Sequence, residues 1–247
     1  MHGLLGTASA HFGRQIRSWS GGRTVHGIDL PGHGRAAADA ERPYWPAAVS
    51  QVIAVMSATG PGHLMGASHL GGTIAVRVAA ARPALARSLV LSGFTPDVPY
   101  QSITAWVGGF ASLAERQPAL ADEYERLHGV RWRDTLRVIA EEIAEDYPTR
   151  IRITAAMLDS LTVPTLVING GLRGDERGVA NSLPSRPGRL EVGIVPSAGH
   201  MVQYEAADVF NAMVARFWSQ IGASGPANDG AVLGGRSPAE EAVRVSR

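Results

Sequence analysis

The sequence predicts an α/β fold in which a mainly parallel sheet is flanked by helices. Short apolar segments alternate along the chain with longer segments of helical periodicity, and Gly or Pro residues separate them. Short apolar segments are typical of parallel strands, because the helices that connect such strands cover both faces of the sheet. The 247 residues are enough for one domain with a substantial core.

The predicted strands and helices run from residue 23 to residue 221 of the chain. Segments rich in β-branched and apolar residues predict the strands, which are residues 23–28, 62–67, 88–92, 164–169 and 190–195. Apolar residues at helical spacing predict the helices, which are residues 45–58, 71–81 and 206–221.

One long stretch, residues 95–160, interrupts this alternation. It is rich in Ala, Glu and Arg at helical spacing and carries several aromatic residues. We interpret it as a helical lid, or cap, inserted into a core that consists of residues 1–94 and 161–222. Residues 223–247 are rich in Gly, Ser, Pro and Ala, so we expect a disordered tail there.

The composition limits the class of protein and its partners. With a net charge of +1, the chain offers no basic field for nucleic acid. It has no cysteine, which excludes disulfides, thiolate catalysis and cysteine-metal sites. No metal-ligand cluster and no phosphate-binding Gly loop stands out, so we expect no metal and no cofactor. No apolar run spans a membrane and no signal peptide is recognisable, so we expect a cytoplasmic protein without a membrane partner.

Residues 66–72, Gly-Ala-Ser-His-Leu-Gly-Gly, predict a tight turn between a strand and a helix. Such a turn exposes a nucleophile above a helix N-terminus, and it needs small neighbours because strand and helix approach closely. If Ser68 is the nucleophile, Leu70 falls where a small residue is expected. If His69 takes that position, small residues flank it on both sides, which slightly favours the second register on steric grounds.

Four motifs in order resemble those of the α/β-hydrolase superfamily. Residues 2–6, His-Gly-Leu-Leu-Gly, resemble the loop that supplies an oxyanion donor, and residues 29–34, Asp-Leu-Pro-Gly-His-Gly, resemble the loop after the fourth strand. Residues 66–72 resemble the nucleophile elbow, and residues 198–200, Ala-Gly-His, resemble the segment that carries the catalytic base. Each motif alone is weak, but their order indicates the α/β-hydrolase fold.

The resemblance implies a catalytic triad whose base is His200. The acid of the family follows the penultimate strand, where its usual position aligns with Arg173. Asp175 lies two residues later and keeps the family order of nucleophile, acid and base. Asp97 is the alternative acid, because some members of the family carry the acid after an earlier strand.

The resemblance also implies an oxyanion hole made of backbone N–H groups. One donor is Leu4, in the same loop as His2 and Gly3. The other is the residue after the nucleophile, which is His69 in the first register of the elbow and Leu70 in the second.

The leading functional interpretation is a hydrolase of an ester, lactone or similar carbonyl bond in a small, moderately apolar molecule. The alternative is a non-hydrolytic, cofactor-free enzyme such as a cyclase, lyase or dioxygenase, which works by histidine acid–base chemistry. Cofactor-free dioxygenases of this superfamily carry Ser-His-Gly-Gly in the elbow, and residues 68–72 resemble that motif with Leu inserted. A third interpretation is a binding protein that kept the pocket and lost the triad.

The N-terminus departs from the family pattern. The family's His-Gly loop follows a central strand, whereas His2 here follows Met1 directly. A strand is also missing between those predicted to end at Ile28 and Ala67. Because the loss of a central strand would leave backbone groups unpaired, we expect the true start to lie upstream, with Met1 inside that strand.

Overall fold

The computed structural model describes residues 1–223. Its helices and strands along the chain are α1 (Ala8–Trp19), α2 (Tyr44–Thr59), β1 (Gly62–Ala67), α3 (Ser68–Ala81), β2 (Ala86–Ser92), α4 (Tyr100–Arg116), α5 (Pro118–His128), α6 (Trp132–Asp146), α7 (Ala155–Ser160), β3 (Thr165–Gly170), α8 (Gly174–Ser182), β4 (Leu190–Val195), α9 (Val202–Glu205) and α10 (Ala207–Ala223). This order confirms the predicted α/β class. The tail predicted over residues 223–247 lies outside the described residues, apart from Ala223.

The four strands form one parallel sheet in the order β1-β2-β3-β4. Ala67 at the end of β1 pairs with Ser92 of β2, Ser92 pairs with Ile168 of β3, and Ile168 pairs with Gly193 of β4. The carboxyl ends of the strands therefore meet at one edge of the sheet. Open parallel sheets bind their ligands at this edge, because the connecting loops converge there.

Most of the predicted elements agree with the structure to within two residues. The exception among the helices is the one expected to begin at residue 71, which begins at Ser68. The N-terminus of this helix therefore lies at the predicted elbow.

The prediction of a strand at residues 23–28 is wrong. This segment joins no sheet in the described part of the chain, and a strand needs a neighbouring backbone to satisfy its N–H and C=O groups. Side chains hold the following loop instead. The N–H of Leu30 donates to Nε2 of His2 (2.9 Å), and the N–H of Ala8 donates to the carboxylate of Asp29 (2.7 Å).

Met1 lies beside the free edge of β1. Its amino group donates to the carbonyl oxygen of Met65 (2.7 Å), and its own carbonyl oxygen accepts the N–H of Ala67 (3.0 Å). These two bonds fix the start of the His-Gly loop against the end of β1.

The core has two layers of side chains, one on each face of the sheet. Leu89 and Leu91 of β2 pack on one face with α2, α3 and the helices between β2 and β3. Val90 packs on the other face with Phe210 and Val214 of α10. Neighbouring residues of a strand point to opposite faces, which explains why three successive residues at the centre of β2 are all apolar and buried. None of the helices described is long and apolar enough to cross a membrane.

The helices α4 to α7 and a π-helical turn, Tyr147–Ile151, lie between β2 and β3, where the sequence predicted a helical insertion. A buried carboxylate connects them to the core. Glu142 of α6 accepts hydrogen bonds from the N–H groups of Tyr44 (2.5 Å) and Trp45 (3.3 Å), in the first turn of α2. The N-terminus of a helix stabilises a negative charge, so this contact holds α6 on α2.

A cluster of buried histidines connects α5 to the His-Gly loop. The rings of His2 and His33 lie 4.8 Å apart, and those of His33 and His128 lie 5.5 Å apart, measured between centroids. His128 donates from Nε2 to the carbonyl oxygen of Leu5 (3.0 Å) and accepts the N–H of Gly34 at Nδ1 (2.8 Å). Burial lowers the pKa of all three imidazoles. The cluster is therefore neutral near pH 7.

We expect Glu142→Gln to lower the free energy of unfolding by about 1–3 kcal/mol, because it weakens the bonds to two buried N–H groups. The matched control is Glu141→Gln, whose parent side chain is 45% exposed and pairs with Arg137 on the same helix. Its effect should stay within about 0.5 kcal/mol. Urea denaturation measures both, and equal effects would contradict the role of Glu142.

We expect acid to destabilise the protein in part through His33. Burial lowers its pKa in the folded protein from 6.5 to about 3. As the pH falls below the value of the unfolded chain, only the unfolded chain takes up this proton, so the free energy of unfolding decreases. His33→Asn keeps a donor for the carbonyl oxygen of Pro31 and removes the titrating group.

Between about pH 6 and pH 4, this variant should lose stability less steeply than the wild type, by up to about 1.4 kcal/mol per pH unit. Denaturation curves at a series of pH values give the two slopes. All other titrating groups are shared, so parallel slopes would rule out the contribution of His33.

Candidate active site

Ser68 lies at the point where β1 ends and α3 begins. Its φ is +56°, in the left-handed region that residues other than Gly rarely adopt. A nucleophile elbow imposes this strained conformation on its nucleophile. The structure therefore centres the tight turn on Ser68 and not on His69, which the steric argument from sequence had slightly favoured.

The close contacts of the turn explain why Leu70 is tolerated. A Cβ atom at Gly66 would collide with the carbonyl oxygen of Gly71, and one at Gly71 would lie 2.5 Å from the carbonyl oxygen of His2. The position that must be small is thus Gly71, the third residue after Ser68. Leu70 instead points into the core, where it is 4% exposed.

His200 faces the same edge of the sheet, in the loop between β4 and α9. Its Nδ1 lies 2.6 Å from Oε1 of Glu176. The side chain of Glu176 is 2% exposed, and its other oxygen accepts the N–H of Gly170 (3.2 Å). Glu205 fixes the loop by accepting the N–H groups of Gly199 and Met201, on either side of His200. A buried carboxylate on Nδ1 orients an imidazole and stabilises its protonated form.

The structure places Glu176 against His200, where the sequence had predicted Asp175. Asp175 is partly exposed and pairs with Arg173, at 3.3 Å. The two acidic residues lie in the first turn of α8, where neighbouring side chains point about 100° apart. Only the second one faces His200. The sequence does show a second acidic residue, Glu176, directly after Asp175. The residue at which α8 begins had to be known before one of the two could be chosen as the partner of His200.

Asp97, the alternative acid, does not contact His200 either. Its carboxylate accepts hydrogen bonds from the guanidinium of Arg152 (3.0 Å) and from the N–H of Ala155 (2.8 Å). Asp97 therefore holds the start of α7.

The hydroxyl of Ser68 does not hydrogen-bond to His200 in the described structure. Its Oγ lies 3.9 Å from the sulfur of Met201 instead. Catalytic hydrogen bonds are often long or misaligned in the absence of substrate.

The His-Gly loop passes directly over Ser68. A Cβ atom at Gly3 would lie 2.8 Å from Cβ and Oγ of Ser68, so only glycine fits there. The N–H of Leu4 makes no hydrogen bond within residues 1–223. The N–H of His69 belongs to the first turn of α3, where backbone N–H groups lack partners in the helix. These two N–H groups are the ones that the sequence proposed as oxyanion donors for the Ser68 register.

His2 lies behind this loop and holds it in place. Its Nδ1 donates to the carbonyl oxygen of Gly3 (2.8 Å), and its Nε2 accepts the N–H of Leu30. The side chain is fully buried, and desolvation lowers its pKa well below the usual value. His2 is therefore a positioning residue of the site.

His11 of α1 is a further residue of the site that the sequence motifs did not reveal. It lines the cavity and accepts the N–H of Gly3 at Nδ1 (3.0 Å). Burial lowers its pKa to about 4. Nothing in the sequence marks this position, because the contact depends on how α1 folds back on the loop.

A cavity of about 430 Å³ opens above Ser68 and His200. Its walls are mostly apolar and come largely from the inserted helices; among them are Val98, Ile103, Trp106, Val107, Phe110, Ile139 and Ile143. Arg173 and Asp175 contribute charged groups to the lining. No cluster of three or more potential metal ligands occurs within residues 1–223. The arrangement suits an apolar small molecule whose reacting group meets Ser68.

A strained serine at the end of a parallel strand, together with a carboxylate–histidine pair across the same cavity, is the geometry of proteins that attack carbonyl groups on an α/β sheet. Residues 1–213 match the Alpha/beta hydrolase family. The chain belongs to this family, as its motifs predicted.

Similar proteins of known structure support the assignment of the fold. NosK from Streptomyces actuosus is 46% identical, with 89% of this chain and 95% of that chain aligned at a TM-score of 0.85. A mutant of the N-acyl homoserine lactonase AidH complexed with N-hexanoyl homoserine is 23% identical, covers 93% of this chain and 90% of its own, and has a TM-score of 0.65. At this identity the second likeness concerns the fold alone.

A curated relative is longer than this chain. The dihydrolipoyllysine-residue acetyltransferase component of the acetoin cleaving system of Pseudomonas putida is 28% identical over 239 residues. The match covers 83% of this chain but 61% of that protein. The chain thus spans less than two thirds of the length of this relative.

Proposed function

We propose that this protein hydrolyses an ester, lactone or similar carbonyl bond of a small apolar molecule through an acyl-enzyme on Ser68. The observation that carries the proposal is the 2.6 Å contact between Nδ1 of His200 and the buried carboxylate of Glu176. It fixes the ring so that Nε2 is the nitrogen available to the cavity, where Ser68 also lies.

In the proposed reaction, Oγ of Ser68 attacks the carbonyl carbon and Nε2 of His200 takes its proton. The N–H groups of Leu4 and His69 hold the resulting oxyanion. His200 then gives the proton to the leaving group, and a water molecule attacks the acyl-enzyme by the same route in reverse. Throughout, Glu176 stabilises the protonated imidazole without taking its proton.

The size and lining of the cavity support a small, apolar substrate. A volume of about 430 Å³ falls within the range of small-molecule sites. The walls from α4 and α6 are apolar and two of the side chains are aromatic, so they favour an acyl group with little charge.

The geometry favours nucleophilic attack by Ser68 over acid–base chemistry by His69. His69 has no carboxylate partner within the described residues, and burial lowers its pKa to about 4. A base with such a low pKa accepts a proton less readily than one paired with a carboxylate.

We expect a fluorophosphonate probe to add to the wild type and to His69→Phe, but not to Ser68→Ala. The reason is that only the serine hydroxyl can form the stable adduct. Intact-mass analysis detects the adduct, and hydrolysis of p-nitrophenyl butyrate measures turnover. Adduct formation that persists in Ser68→Ala, or a complete lack of adduct in the folded wild type, would refute the acyl-enzyme.

We expect Glu176→Gln to lower kcat/KM roughly 10²- to 10⁴-fold, because the amide no longer stabilises the protonated imidazole. Asp175→Asn is the matched control, one residue away on the same helix, and should change kcat/KM by about twofold or less. A larger loss in the Asp175 variant than in the Glu176 variant would restore Asp175 as the acid.

A further inference from the structure

His69 is the residue directly after Ser68, and its imidazole lines the cavity. It lies close to two aromatic rings. The ring of Phe94 is nearly parallel to it, at 6.0 Å between centroids, and the ring of Tyr147 is tilted, at 5.8 Å. Both aromatic side chains are fully buried. Contacts with both rings therefore restrict the position of the His69 ring.

Neither ring nitrogen of His69 hydrogen-bonds to any residue in the described part of the chain, and Nε2 is enclosed. Burial lowers the pKa of His69 to about 4, so the ring is neutral near pH 7. A neutral imidazole has one N–H donor and one nitrogen acceptor. Because Nε2 is enclosed, Nδ1 is the nitrogen that a ligand in the cavity can reach, and an apolar ligand that excluded water would leave it without a partner.

The other ionisable side chains near the reacting centre do have partners. Glu176 pairs with His200, and His11 accepts a backbone N–H at Nδ1. His69 thus presents an unused hydrogen-bonding group to a cavity whose walls are mostly apolar. Its substitution would leave the proposed oxyanion donor in place, because that donor is the backbone N–H of the same residue.

We propose that His69 determines specificity for the acyl group: the preferred substrate carries an otherwise apolar acyl group with a single hydroxyl or N–H group that hydrogen-bonds to the His69 imidazole. The inference deepens the proposed function and rests on it, because the group bound beside Ser68 is the acyl group of an acyl-enzyme. An apolar acyl group without such a substituent would leave the imidazole unpartnered, which the site penalises.

The test measures binding without chemistry, in the Ser68→Ala protein. The ligands are methyl benzoate and the meta and para isomers of methyl hydroxybenzoate, which differ from it by a single hydroxyl. A phenolic hydroxyl both donates and accepts, so it can pair with either tautomer of His69. Isothermal titration calorimetry gives the dissociation constants.

We expect at least one hydroxybenzoate to bind Ser68→Ala roughly 3- to 10-fold more tightly than methyl benzoate. This preference should disappear in the double variant Ser68→Ala, His69→Phe, whose new ring retains the packing against Phe94. The control Ser68→Ala, Thr95→Val removes a different polar group of the cavity lining and should keep the preference. If the double variant with Phe fails to fold, His69→Gln in the same background should keep part of the preference.

Equal binding of all three esters, a preference that survives His69→Phe, or no binding of any ester would overturn the inference. A water molecule that satisfies His69 permanently would produce the first of these results. Failure of the proposed function is distinct, since it would appear as a lack of fluorophosphonate adduct on Ser68 while the binding preference remains.

Discussion

The close approach of three backbone segments around Ser68 is the constraint on which the rest of the site depends. The end of β1, the start of α3 and the His-Gly loop meet where Gly3, Gly66 and Gly71 leave no room for a side chain. This contact holds Ser68 at a positive φ, a conformation that costs on the order of 1–3 kcal/mol. The surrounding core supplies that energy, since both faces of the sheet are packed with buried apolar side chains.

Buried polar side chains fix the positions of the packed elements relative to one another. Glu142 attaches the inserted helices to the first turn of α2, and Glu176 fixes His200 relative to β3 through the N–H of Gly170. His2 secures the His-Gly loop through two further bonds. Each of these groups is desolvated and would be costly without its partners, so each one selects a single arrangement of the elements that it joins.

The sequence was sufficient for the fold because hydrophobic periodicity and four ordered motifs are local features. It failed at residues 23–28, because a strand forms only beside another strand and hydrophobic periodicity does not show whether one is adjacent. At the elbow, the composition of residues 66–72 allowed two registers. The choice between them required the contact of Gly71 with the carbonyl oxygen of His2, which lies far away in the sequence.

The carboxylate beside His200 shows that the sequence also failed to distinguish between two adjacent residues. Asp175 and Glu176 are adjacent and chemically alike, and which of them turns inward follows from the residue at which α8 begins. Helix boundaries are the least predictable part of a sequence-based assignment, so an error of one residue there exchanges an exposed side chain for a buried one. His11 was missed because its partner, the N–H of Gly3, belongs to a different element.

The hydrogen bonds of His128 connect the inserted helices to the His-Gly loop beside Ser68, without any contact with a substrate. This residue ends α5 and donates to the carbonyl oxygen of Leu5, one residue after Leu4, whose N–H is the proposed oxyanion donor. A displacement of α5 from the core would release that carbonyl and loosen the loop that carries the donor. The inserted helices and the loop of the proposed oxyanion donor are thereby mechanically coupled, so that a displaced α5 would leave this donor poorly preorganised.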